Sequence, residues 1–190
     1  MPGFTAADLK ADPAAGIRLR RLLRHDVFLA LARGARGFQV WSLFHSRKGL
    51  TTYPELVAAY GEVFREMAPP ENLQEAILFG ERRDDVTIEV LAGPAFISAP
   101  ETLDAVEGKV DVRKDRWPSV RLANLACGNG RVLILVNSAA EPVRVRLGGI
   151  PPAAKLALLS GGDAARWERT AAGLEAVLEP FAALVLRAVR

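Results

Sequence analysis

The sequence predicts an α+β chain, in which a helix–strand–helix unit precedes an antiparallel β-sandwich. Three observations predict it. The run Gly34-Ala35-Arg36-Gly37-Phe38-Gln39-Val40-Trp41-Ser42-Leu43-Phe44 stands between two amphipathic helical patterns. Its apolar residues fall on both parities, as in a strand covered on both faces. Beyond Pro69-Pro70 the hydrophobic period changes to two, and glycine turns punctuate short apolar stretches.

Taken in order, residues 1–16 read as a loop. Ile17, Leu19, Leu22, Leu23, Val27, Ala30 and Leu31 recur at helical spacing with arginines between them, and Gly34 stands where a C-terminal cap is expected. A strand over residues 38–44 places Phe38 and Val40 on one side, Gln39 and Trp41 on the other. Thr51-Thr52-Tyr53-Pro54-Glu55 opens the next helix, on which Leu56, Ala59, Tyr60, Val63, Phe64 and Met67 share a face. Pro69-Pro70 ends it and marks a junction between residues 1–68 and 69–190. Strands are then expected over residues 76–79, 86–91, 120–127, 131–137, 143–147, 155–160, 174–178 and 182–189. The charged residues 81–85 read as a turn. Residues 99–118 are the least regular stretch, either a long loop or an added hairpin.

The 190 residues carry a formal net charge of +3, with 50% apolar and 25% charged residues, an ordinary globular composition. Arg18, Arg20, Arg21 and Arg24 cluster on one helix without interleaved aromatics, which favours a solvated face over a nucleic-acid surface. The one cysteine, Cys127, excludes an intrachain disulfide and a multi-cysteine zinc site. Its strand context suggests a small buried hydrophobe, and Trp117 and Trp167 are likewise expected in the core. No signal peptide is visible, so the location is left open with the cytoplasm as default. The apolar stretch 27–44 is interrupted by Arg33, Arg36 and Gln39, so no membrane span is expected. His25 and His45 are the only histidines and show no metal-ligand spacing, so neither a metal nor a cofactor is expected. His25-Asp26 is not expected to form a dyad, because neighbours on a helix diverge. Ser42 lacks the Gly-x-Ser-x-Gly context of an esterase nucleophile.

Gly34-Ala35-Arg36-Gly37 leading into Val40-Trp41-Ser42, with Tyr53-Pro54-Glu55-Leu56 opening a final helix, resembles the eighth strand of the large retaining (β/α)8 clan of glycoside hydrolases, which includes β-galactosidases and β-glucanases. The stretch Val-Leu-Ile-Leu-Val-Asn-Ser-Ala-Ala-Glu-Pro-Val-Arg-Val at 132–145, and Glu179-Pro180-Phe181-Ala182-Ala183-Leu184-Val185-Leu186, are similar to the β-sandwich that follows the barrel in many of them. The resemblance implies that residues 1–68 are the C-terminal portion of a TIM-type barrel and 69–190 a β-sandwich accessory domain. It implies that Trp41 lines the subsite of the sugar to be cleaved, with Gln39, His45 and Arg47 as hydroxyl partners. Retaining glycosidases need two carboxyl groups about 5–5.5 Å apart. In the clan these end strands four and seven, upstream of this chain, so no catalytic residue carries over and the chain alone should be inactive. Asp26, Glu55, Glu62 and Glu66 read as solvated or capping helix carboxylates. The expected partners are carbohydrate, together with the missing barrel portion or a second copy, and neither nucleic acid nor membrane. The alternative is a non-catalytic β-sandwich module that binds carbohydrate or a partner protein, with the helical part as a docking or dimerisation arm.

Overall fold

In the computed structural model, which describes residues 12–38, 54–68, 73–100, 114–128, 130–162 and 164–189, the helices come first and the strands follow. Helix α1 spans Pro13–Ala32. It starts earlier than its apolar period indicates because Asp12 caps it, accepting the Ala14 N–H at 2.8 Å, with proline in the first turn. At its end Gly34 has φ +107°, and the Ala35 and Gly34 N–H groups close onto the Ala30 and Leu31 carbonyls, both at 2.9 Å. The Arg82 guanidinium donates to the Leu31 and Ala32 carbonyls at 2.7 and 3.0 Å, satisfying acceptors that the helix leaves open.

Helix α2 covers Pro54–Arg65. Helix α3, Leu73–Phe79, corrects the strand expected at 76–79. Four apolar residues suit either structure. Leu73, Ala76 and Ile77 are the buried positions, at helical spacing, and so decide for helix.

Among the described residues eleven strands follow: β1 Glu81–Arg82, β2 Thr87–Ala92, β3 Phe96–Pro100, β4 Lys114–Pro118, β5 Val120–Cys127, β6 Gly130–Asn137, β7 Val143–Gly148, β8 Lys155–Ser160, β9 Ala165–Thr170, β10 Gly173–Leu178 and β11 Ala183–Val189. One sheet has the order β1-β5-β6-β11-β8, a second β2-β7-β10-β9, and β3-β4 forms a separate pair. All pairings are antiparallel. The chain is therefore α+β with antiparallel sheets. The charged segment 81–85, expected as a turn, contributes β1 to the edge of the larger sheet. Strand β9 escaped the sequence reading because it is an edge strand paired only with β10, and Ala165 and Trp167 are its only apolar residues.

The described residues form three layers. Between the sheets lies an apolar core of Leu133, Leu135, Val143, Val145, Leu147, Leu174, Leu184 and Leu186, among others. The opposite face of the five-stranded sheet, with Leu125, Val132, Ile134, Val136 and Val185, packs against Phe28 and Leu31 of α1 and Leu73 and Ile77 of α3. Strands β6 and β11 are thus covered on both faces, which explains their unbroken apolar runs. Two core expectations need correction. Cys127 is half-buried at the end of β5, beside the helical layer. Trp117 and Trp167 are also half-buried. Trp167 sits against the inter-sheet core, and the Arg33 guanidinium lies 4.2 Å from the centre of the Trp117 ring.

Candidate functional site

Trp41, Gln39, His45 and Arg47, the residues expected to contact substrate, lie outside the described residues, as do residues 39–44 of the strand expected at 38–44; Phe38, its first residue, is described and is not in a strand. Phe38 and Pro54 flank that segment, and the helices they join define its frame. Arg20 Nη1 meets Glu62 at 3.2 Å, and Arg24 Nε meets Glu66 at 2.9 Å; each pair spans 42 positions. A constant difference means that α1 and α2 run in the same direction, since antiparallel helices would give a constant sum. Leu19 and Leu23 of α1 pack against Ala59 and Tyr60 of α2 along the same line.

A short hairpin cannot connect parallel helices. Phe38 contacts Phe64, in the last turn of α2, with ring centres 6.2 Å apart. Phe38 thus lies at the far end of α2 from Pro54, a helix about 18 Å long for twelve residues. Helix α2 is apolar on two sides. Ala59 and Val63 are buried, while Val57 and Phe64 stay 42% and 36% exposed. Tyr60 stacks on Phe64 at 6.0 Å, and burial together with the nearby Asp26 carboxylate pushes its hydroxyl pKa up.

The helix layer is fastened to the sandwich by two polar clusters. In the first, His25 is 7% exposed, its Nε2 lies 2.9 Å from Ser138 Oγ, and its Nδ1 lies 2.9 Å from Asp26 Oδ1. This corrects the expectation that His25 and Asp26 do not pair. Neighbouring side chains diverge by about 100° around a helix. Here Ser138 on one side and the Phe181 ring, edge-on at 5.6 Å, turn the imidazole so that the nitrogen nearest the backbone reaches Asp26. Ser138 was invisible to sequence reasoning, since nothing local links positions 113 apart.

The order serine–histidine–aspartate is that of an acyl-transfer relay, which also needs backbone N–H groups free to bind an oxyanion. Both nearby groups are already committed. Ser138 N–H donates to the Ser119 carbonyl at 2.7 Å, and Ala139 N–H to Asn137 Oδ1 at 2.9 Å. The cluster is a clasp between helix and sandwich. Phe181 holds its place in a strained backbone, with φ +56°, inside a Glu179–Ala182 turn closed by Ala182 N–H to Glu179 O at 3.0 Å. Asn137, fully buried, supports that turn by donating to the carbonyls of Glu141, Leu178 and Glu179 at 2.9–3.1 Å.

In the second cluster Arg24 donates through Nε to both Glu66 oxygens, through Nη1 to the Ala183 carbonyl at 2.5 Å, and through Nη2 to Ser160 Oγ. The Ser160 hydroxyl in turn donates to Glu66. The guanidinium also lies 4.7 Å from the centre of the Phe28 ring. Glu66, read from sequence as a solvated carboxylate, is thus part of a fixed network.

On the far side of the molecule Glu175, 6% exposed, accepts two hydrogen bonds from Arg146 at 2.9 and 3.2 Å and two from Arg144 at 2.6 and 3.1 Å. The hydrogen bonds from Arg146 and then Arg144 hold its carboxyl below the ordinary range. At one end of the sandwich a hydrogen bond from Arg131 does the same for Asp85, assisted by Asn124. Among the described residues no group of three or more His, Cys, Asp and Glu side chains is placed to hold a metal ion. No protein-family model matches the sequence, and no curated protein or solved structure matches it either.

Proposed function

We propose that this chain is the C-terminal portion of a retaining glycoside hydrolase, with the last helix–strand–helix of a (β/α)8 barrel fixed to a β-sandwich and the catalytic carboxylates upstream. The parallel packing of α1 and α2 carries the reading. Consecutive helices run parallel when a strand returns the chain between them, which is the repeating connection of a βα barrel. An extended segment of six residues covers about 20 Å, enough to return along α2. The apolar side of α2 that carries Val57 and Phe64, left open among the described residues, is what a helix presents to a sheet in that arrangement.

In this reading Trp41 offers an apolar ring face to the C–H face of a sugar, and Gln39, His45 and Arg47 meet its hydroxyls. The sandwich and its clasps hold the last two helices in place behind that site. The chain by itself has no catalytic role.

The genomic frame upstream of the Met1 codon tests this. An in-frame extension of about two hundred residues with alternating strands and helices, and a glutamate at the end of two strands, is expected. The extended protein should cleave aryl glycosides, and Trp41→Ala should raise KM. A stop codon and ribosome-binding site immediately upstream would overturn the proposal.

A further inference from the structure

We infer that the outer edge of β9 is a homodimer interface, where two copies pair their β9 strands antiparallel about a two-fold axis at Trp167. Strand β9 ends its sheet among the described residues. Its ladder shows which backbone groups face outward. Glu179 N–H donates to the Ala164 carbonyl at 3.0 Å, one step past the Leu178–Ala165 pair. Antiparallel partners alternate between bonded and non-bonded pairs, so Arg166, Glu168 and Thr170 bond to β10. Ala165, Trp167 and Arg169 therefore turn their N–H and C=O groups to the edge, where they are a template for another strand.

The charges select a second copy as that strand. With Trp167 opposite its own counterpart, Ala165 faces Arg169 of the second copy, and the outward groups of both strands find partners. On the solvent face Arg166 then stands opposite Glu168 of the second copy, and Glu168 opposite Arg166. Both side chains are exposed. Opposite charges directly across favour pairing, whereas the neighbouring registers, centred on Arg166 or on Glu168, set like charges face to face. Arg-Trp-Glu is thus its own complement when read antiparallel, as a two-fold interface requires.

The surroundings fit the same occupant. Glu168 lies directly across from Glu175 on β10, a like-charged pair, and Arg144 and Arg146 already hold both Glu175 oxygens. A guanidinium arriving from the other side relieves Glu168. The Arg169 guanidinium is drawn back onto the Pro151 and Ala154 carbonyls, which leaves room opposite the small Ala165. Strands β8 and β9 are consecutive and each ends its sheet, so they border one side of the sandwich. Trp167 is half-buried there, and Leu158 of β8, paired with Leu186 of the inter-sheet core, is 44% exposed. The two-fold axis brings this apolar margin against its own copy. The inference rests on β9 and not on the barrel reading.

Sedimentation of the full chain over a concentration series tests it. A reversible monomer–dimer equilibrium is expected, with the Trp167 and Arg169 amides exchanging more slowly as concentration rises. Arg166→Glu and Glu168→Arg, each alone, should weaken the dimer by about tenfold or more, because each sets two like-charged pairs across the axis. Mixed together, the two variants should form a heterodimer, since every pair across the axis is then opposite in sign. The double variant should regain self-association. Both positions are exposed, so the variants should stay folded, which their melting temperatures check. A chain that stays monomeric to about 1 mM, a dimer indifferent to both single variants, or single variants that fail to recombine would each overturn the proposal. Protection of the Trp167 amide that does not change with concentration would show the edge paired within one chain, and would overturn it too.

Discussion

The two faces of the five-stranded sheet meet their neighbours in different ways. Toward the other sheet the contact is an array of leucines, valines and alanines. Toward the helices an apolar centre is bordered by directional bonds from His25, Arg24 and Arg82. Apolar contact rewards area and tolerates repacking, whereas a hydrogen bond left unmade in a buried setting is costly. The inner face thus supplies cohesion, and the outer face selects one placement of the helices from the many that burial alone would allow.

The strongest challenge to this contrast is Leu184→Ala, on the inner face and fully buried. It should cost about 4 kcal/mol, and urea unfolding followed by circular dichroism should show both layers lost in one transition. A cost below about 1 kcal/mol would mean that the inter-sheet core is not the cohesive element. Asn137→Ala comes next. Three carbonyls and the Ala139 N–H lose their partner, for about 3 kcal/mol by the same measurement.

Ser138→Ala should cost about 1–2 kcal/mol. The effect should be local, with hydrogen exchange accelerating in α1 while β7 and β10 keep their protection. Uniform acceleration would erase the distinction between the faces. Arg82→Met, which uncovers the last carbonyls of α1, should cost about 1 kcal/mol and fray only that helix end.

Glu175 gives the smallest and most conditional effect. Its carboxyl is depressed in the folded state below the unfolded value of about 4.3, so its contribution is present above that pH and is lost as the pH falls through the folded value. Glu175→Gln should lower the melting temperature at neutral pH, and the gap to the parent should close on acidification below about pH 4. A gap independent of pH would remove the ion network from the account. Asp85, depressed in the same direction, should leave some acid sensitivity in the variant.

Much of the fold was legible where one period dominates. The alternation of Val143, Val145 and Leu147 and the apolar run at 132–136 identified strands, and Gly34 marked a helix end. Legibility failed where the deciding interaction lies elsewhere in the chain. The run at 76–79 needed Leu73 and a sheet to pack on before it could be read as helix. Strand β9 is held by backbone pairing to β10 and shows only two apolar residues. The clasp was least legible of all, because His25 and Asp26 pair only once Ser138 and Phe181, from distant loops, have fixed the imidazole.

The position of β11 has a consequence for biosynthesis. The strand nearest the C-terminus lies between β6 and β8, hydrogen-bonded on both sides, and Arg24 reaches across 159 positions to its first residue. Helix α1 leaves the ribosome before residues 183–189, so the Arg24 bond to β11 forms only after they follow. During that interval Phe28 and Leu31 can meet only the β5–β6 part of their cover, Leu125, Val132, Ile134 and Val136, without Val185. Contacts so distant in sequence form slowly. A nascent chain stalled before residue 183 would therefore present a partly covered helix and a split sheet to the chaperones, and the sheet would close only when β11 slid in between β6 and β8.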